Sequence, residues 1–157
     1  MIKYVKGDLI KLADDGEFDV ICHGCNCQGT MGAGIAKQIA KRWPLVAEVD
    51  KEFHSRNAHN TFAMLGEFSM VNVKTKNNRR LIVCNLYTQH YYGKGVQVDY
   101  ISIKRVLIQI HETMPLNYRI GLPKIAAGLG GGDWNIIKSI IEEIFSNRNV
   151  SVVKYNK

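Results

Sequence analysis

Residues 18–23, FDVICH, run through Gly24-Cys25 into Asn26-Cys27-Gln28-Gly29-Thr30-Met31-Gly32-Ala33-Gly34-Ile35-Ala36. The first piece is a short, mostly apolar run, the pattern of a strand buried on both faces. The last residues open a helical stretch over 33–42, with Ile35 and Ile39 one turn apart. Gly32 and Gly34 either supply positive φ or leave room for something to approach the backbone. Free N–H groups at the start of the helix attract anions, phosphate above all. The spacing is neither G-x-G-x-x-G nor G-x-x-x-x-G-K-[ST], so this turn alone does not specify a nucleotide.

Outward from this unit, strand-like and helix-like segments alternate. Residues 2–6 read as a first strand closed by Gly7-Asp8, and Pro44 ends the 33–42 helix and starts another that runs to Arg56. Strands are expected near 66–73 and 80–87, with Asn77-Asn78 turning between them, and again at 118–125 and in the terminal VSVVKY. Helices are expected over 98–114, where Ile103, Leu107, Ile110 and Met114 recur at helical spacing, and over 134–146, with Ile137, Ile140, Ile141 and Ile144 on one side. About six strands and four helices in alternation imply a layered α/β domain with a largely parallel sheet, spanning residues 1–157 as one unit.

A second glycine-rich loop, Gly128-Leu129-Gly130-Gly131-Gly132-Asp133-Trp134, follows the 118–125 strand. Four glycines in five positions are costly in conformational entropy, more than turning requires. Successive bare N–H groups there can wrap a phosphate, while Asp133 can also serve simply as a helix N-cap. In a parallel sheet both loops fall beyond the carboxyl ends of strands, where ligands bind. Two such loops at one edge imply a ligand with two linked phosphates.

The balance of 21 Lys and Arg against 14 Asp and Glu gives a net charge of +7, which suits an anionic partner as well as ordinary solvation. No apolar stretch is long enough to span a bilayer, and the N-terminus has no secretory pattern, so no membrane association is expected. Cys22, Cys25 and Cys27 crowd into six residues, with Cys84 far off. Such crowding fits a reducing cytosol better than a disulfide scaffold, and a cytoplasmic location is expected. The C-x-x-C-x-C run lacks a second ligand pair at finger-like distance, so neither a metal nor another cofactor is expected.

Taken together, Gly7-Asp8-Leu9, the 26–36 segment, Pro123 and the 128–134 loop resemble, in the same order and over essentially the whole chain, the macrodomain family of ADP-ribose-binding proteins. The N-C-x-G-x-M-G-x-G-I-A pattern is most similar to the branch of ADP-ribose 1″-phosphate phosphatases and terminal ADP-ribose glycohydrolases. The resemblance implies a three-layer α/β/α fold with a mixed, mostly parallel sheet of about six strands. It implies an adenine contact at Asp8, whose competing role is an N-cap, and backbone near the adenine at Leu9. Asn26 would bond the distal ribose, or else serve only its turn. Gln28 and Met31 would contact the ligand, and Gly32, Ala33, Gly34 and Ile35 would line the distal ribose and phosphates. Gly128, Leu129, Gly130, Gly131 and Gly132 would hold the diphosphate, Asp133 would contact the ligand, and Tyr87, Thr88 and Gln89 would close the ribose side.

The glycohydrolase members that carry a catalytic lysine have it after a threonine; here Gln89 follows Thr88, and Gly130 stands where some of them have an acid. Glutamine can neither form an imine nor supply positive charge. The segment His23-Gly24-Cys25-Asn26-Cys27 instead resembles the phosphatase members. His23 and Asn26 are therefore the expected catalytic residues, with His23 assisting attack by water on phosphorus; the competing reading is a hydrogen-bonded core histidine. His90 is a second candidate, and Tyr91 and Tyr92 either cap the ligand or pack. The expected activity is release of phosphate from ADP-ribose 1″-phosphate by a monomer. Alternatives are removal of ADP-ribose from protein or nucleic acid, a non-catalytic ADP-ribose reader, and, ranked last, a basic nucleic-acid-binding domain.

Overall fold

A computed structural model describes residues 2–93, 95, 97–125, 127 and 131–155. The expectations placed on Gly128, Leu129 and Gly130 lie outside the described residues. Six strands form one sheet: β1 (Ile2–Gly7), β2 (Val20–Asn26), β3 (Phe68–Lys74), β4 (Arg80–Gln89), β5 (Ile120–Leu122) and β6 (Val150–Tyr155). Their spatial order is β1-β6-β5-β2-β4-β3, and every pairing is parallel except that of β3 with β4. The antiparallel pair is joined by the turn through Thr75 and Arg79, where Asn78 takes a φ of 59°.

Five α-helices cover the sheet: α1 (Leu9–Asp14), α2 (Gly34–Arg42), α3 (Pro44–Arg56), α4 (Tyr100–Thr113) and α5 (Trp134–Ile144). Strand residues alternate between faces, so Ile21, Val83 and Val153 meet α1, α2 and α3 on one side. Cys22, Cys84, Leu122 and Val152 meet α4 and α5 on the other. The fold is thus the expected three-layer α/β/α arrangement. Periodicity does not reveal α1, whose six residues are too few to carry a repeating signal. Asp8 caps it, its Oδ1 accepting from the N–H of Ile10 (3.0 Å) and Lys11 (3.2 Å). The 18–23 strand lies further along, at 20–26, and the 118–125 strand contracts to three residues.

Two further features hold the layers. Arg148 is fully buried and donates to the carbonyls of His111, Met114 and Pro115, closing the carboxyl end of α4. Beneath α3 runs a buried polar chain. The Asn85 side chain bonds His23 and Ser69, Ser69 bonds the Tyr87 hydroxyl, and that hydroxyl donates to Asp50 of α3 at 2.8 Å.

Candidate functional site

β2 and β5 are neighbours, yet β2 leads to α2 on one face and β5 leads to α5 on the other. Parallel strands whose connections depart in opposite directions leave a crevice beyond their carboxyl ends. A cleft of about 490 Å³ opens at this edge. The end of β1 contributes Gly7, Asp8 and Leu9 to it, α2 contributes Gly34, Ile35 and Gln38, and the segment after β5 contributes Pro123, Lys124 and Ala127. Val153, Lys154 and Tyr155 close it from the end of β6.

Both ends of this cleft have unfilled hydrogen-bonding capacity. The Asp8 Oδ1 is occupied by α1, but no described residue bonds its Oδ2. At α2, Ala33 stands at the N-cap without a side-chain bond, and the first intrahelical bond runs from Lys37 N to Ala33 O. The N–H groups of Ile35 and Ala36 therefore precede any partner in the helix, and the helix dipole adds positive potential there. Gly34 has a φ of 58°, which the backbone turn requires. Gly32 has no such constraint: a Cβ built on it meets nothing within 4 Å. Neither packing nor backbone demands glycine at 32, so the space it leaves lies open beside α2.

The turn between β2 and α2 is shaped by Asn26. Its Oδ1 accepts from Gln28 N at 2.9 Å and its Nδ2 donates to Thr30 Oγ1 at 3.2 Å. The Gln28 amide and the Cys27 N–H both donate to the His90 carbonyl, tying this turn to the end of β4. On the other side a Cβ on Gly29 would lie 2.9 Å from His54 of α3, and the φ of 70° also requires glycine there. An aromatic wall stands beyond: Phe62 stacks on His90 and Tyr91 on Tyr92, with Phe62, Tyr91 and Tyr92 each at least half exposed.

The structure brings Asp8, Leu9, Gly34 and Ile35 together around the cleft, with Gly32 and the N-cap Ala33 exposed at its α2 end. Leu9 has a buried side chain, leaving its backbone as the accessible part. Met31 packs its side chain against the α1–α2 core. Gly131 and Gly132 lead into α5, and Asp133 caps that helix through Asn135 N while its own N–H donates to the Tyr100 hydroxyl. Gln89 donates to the Tyr91 carbonyl.

Three more of the expected site residues have buried side chains. The Tyr87 ring stacks on Phe53 in the core, and its hydroxyl is spent on Asp50 and Ser69. Thr88 is fully buried on the opposite face of the same strand. His23 is fully buried too, its Nε2 2.6 Å from Asn85 Oδ1 and its ring 3.7 Å from Cys25 Sγ. Burial pushes its pKa down to about 4, against the opposing pull of the Asn85 bond. These are the surroundings of a hydrogen-bonded core histidine, buried beside β4 and neutral at pH 7. Burial likewise raises the Cys25 thiol and pushes Cys27 up to about 12, so neither is a thiolate at neutral pH. Burial raises the Asp50 carboxyl as well, although the Tyr87 bond pulls the other way.

Gln38, Lys124, Ala127, Val153, Lys154 and Tyr155 are the lining residues that motif reading missed. A signal for Tyr155 existed, since the last residue of a parallel strand sits at the ligand edge. Among the described residues no group of three or more His, Cys, Asp or Glu could hold a metal ion, and no helix is long and apolar enough to cross a membrane.

No family model matches the chain. It is 31% identical, over 99% of its own length and 97% of the relative's, to an uncharacterized 17.5 kDa protein of Enterobacteria phage T4. It is 26% identical to an ADP-ribose 1″-phosphate phosphatase of Debaryomyces hansenii, over 97% of this chain and 98% of that protein. Its structure matches the macrodomain of Mycobacterium tuberculosis DarG with a TM-score of 0.77 at 25% identity, covering 100% of this chain and 98% of that one. The chain has the macrodomain fold. In this macrodomain the cleft between the β2 and β5 loops combines one free carboxylate oxygen, one exposed tyrosine and one uncapped helix start.

Proposed function

We propose that this macrodomain binds ADP-ribose in the cleft and releases phosphate from ADP-ribose 1″-phosphate. The observation that carries the reading is the pairing, at one sheet edge, of an adenosine-sized cleft beside Asp8 with the uncapped α2 start next to the open space at Gly32. The adenine amino group donates to Asp8 Oδ2, and the base lies against Tyr155 and Val153. The diphosphate accepts from the amides of Ile35 and Ala36, and the distal ribose reaches Asn26. Hydrolysis joins the oxygen of water to phosphorus, breaks the bond from phosphorus to the C1″ oxygen, and leaves a hydroxyl on ADP-ribose and free phosphate. The negative charge gathering on the phosphoryl oxygens is met by main-chain N–H groups, which need no reorganisation during the reaction. His23 contributes by holding β2 in register with β4, not by proton transfer.

Incubation with ADP-ribose 1″-phosphate, with phosphate and ADP-ribose both quantified, tests the reading. Stoichiometric release of the two supports it; binding without release reduces the protein to a reader.

The exposed wall of Phe62, His90, Tyr91 and Tyr92 favours a second reading, in which the ADP-ribose is attached to a macromolecule packed against these rings. Release of free ADP-ribose from a modified protein or nucleic acid, lost on Phe62→Ala, separates it from the first.

A further inference from the structure

Several cations of this molecule are neutralised by carboxylates: Arg42 by Asp14, Lys76 by Asp15, Arg105 by Glu67, Arg119 by Asp19. Lys124 is different. Among the described residues no carboxylate lies within ion-pair distance of it, and its ammonium instead sits 5.2 Å from the centre of the Trp134 ring. Lys124 leaves the carboxyl end of β5 and lines the cleft, while Trp134 is the first residue of α5, directly after Gly131-Gly132-Asp133. The side chain thus links the cleft to the first residue of α5.

We propose that Lys124 is the side chain that reads the ligand's diphosphate, adding a movable positive charge to the fixed main-chain amides of α2. The inference rests on the function proposed above and assigns charge specificity within that site. An ammonium over an aromatic face is held in place but keeps its hydrogen-bonding capacity, because the ring accepts no strong hydrogen bond. An arriving diphosphate offers charged oxygens, and a charge-assisted bond to them is stronger than the contact with the ring. Helix amides bind an anion with partial charges, whereas Lys124 supplies a full one. The consequence is selectivity for ligands with two linked phosphates over the bare nucleoside, and sensitivity of binding to salt.

The test is calorimetry with ADP-ribose and ADP, and an NMR titration with adenosine, on wild type, Lys124→Gln, Lys124→Arg and Lys3→Gln. Lys3 is exposed on β1 and controls for the change in net charge. Lys124→Gln is expected to weaken ADP-ribose and ADP about tenfold at low salt, to flatten the salt dependence, and to leave adenosine unchanged. Lys124→Arg restores most of the affinity, a rescue that a purely steric role does not give. Equal loss for adenosine and ADP, or no loss for either, overturns the role of Lys124 while the proposed function stands. Failure of wild type to bind ADP-ribose overturns the proposed function and this inference with it.

Discussion

Replacing His23 with glutamine keeps a hydrogen-bonding group opposite Asn85 but removes the group that titrates. The folded protein holds His23 at about 4, against an ordinary value of 6.5 that the unfolded chain regains. The pKa is depressed on folding, so the stabilisation is present above 6.5 and is lost as the pH falls towards 4. At pH 5 the unfolded chain has taken up its proton while the folded protein has not. Linkage then puts the loss between pH 7 and pH 5 at about 2 kcal/mol from this one group. Asp50 has the opposite sign: its raised carboxyl is protonated in the folded state first, so acid relieves the folded protein. It is present in both proteins and cancels in the comparison. Urea unfolding at the two pH values is the assay. Wild type should lose about 2 kcal/mol more than His23→Gln on moving to pH 5. Equal losses would refute the burial argument. Should the variant not fold, an NMR titration of the His23 ring in wild type tests the same depressed pKa directly. A ring titrating near 6.5 would reopen its catalytic role.

The remaining predictions separate binding from stability. Gly32→Ala should leave the unfolding free energy within about 0.5 kcal/mol, since its Cβ meets nothing within 4 Å, yet weaken ADP-ribose binding in a calorimetric titration. Asp8→Ala should cost about 1 kcal/mol through the lost cap of α1 and abolish the preference for ADP-ribose over its hypoxanthine analogue, measured by competition. Arg148→Met strands the buried carbonyls at the end of α4, at a cost of about 3 kcal/mol in urea unfolding, with ADP-ribose affinity unchanged at temperatures where the variant is folded.

The layered fold was legible because apolar runs and helical periodicity alternate along the chain, and because the 26–36 segment marks where a strand hands over to a helix. The short β5 was overextended because Pro123, Lys124 and Ile125 continue an apolar pattern past the last sheet bond, which nothing in one-dimensional periodicity marks. Asp8 and the α2 start were legible from local chemistry. The burial of His23, Tyr87 and Thr88 was illegible for a different reason. Position in sequence located them near the ligand edge of β2 and β4, but the face each side chain takes, and the helix above it, decide between cleft and core. Asp50, thirty-seven residues from Tyr87, gave no sequence signal of the bond that buries both. Lys124 and Tyr155 were overlooked because each is a single ordinary residue that gains meaning only from the strand end it occupies.

A crystal structure with ADP-ribose bound tests the central claim most directly. Diphosphate oxygens are expected within hydrogen-bond reach of the Ile35 and Ala36 amides, with the adenine amino group on Asp8 Oδ2 and the base against Tyr155. A nucleotide seated elsewhere on the molecule, with the edge between β2 and β5 vacant at saturating ligand, would contradict it.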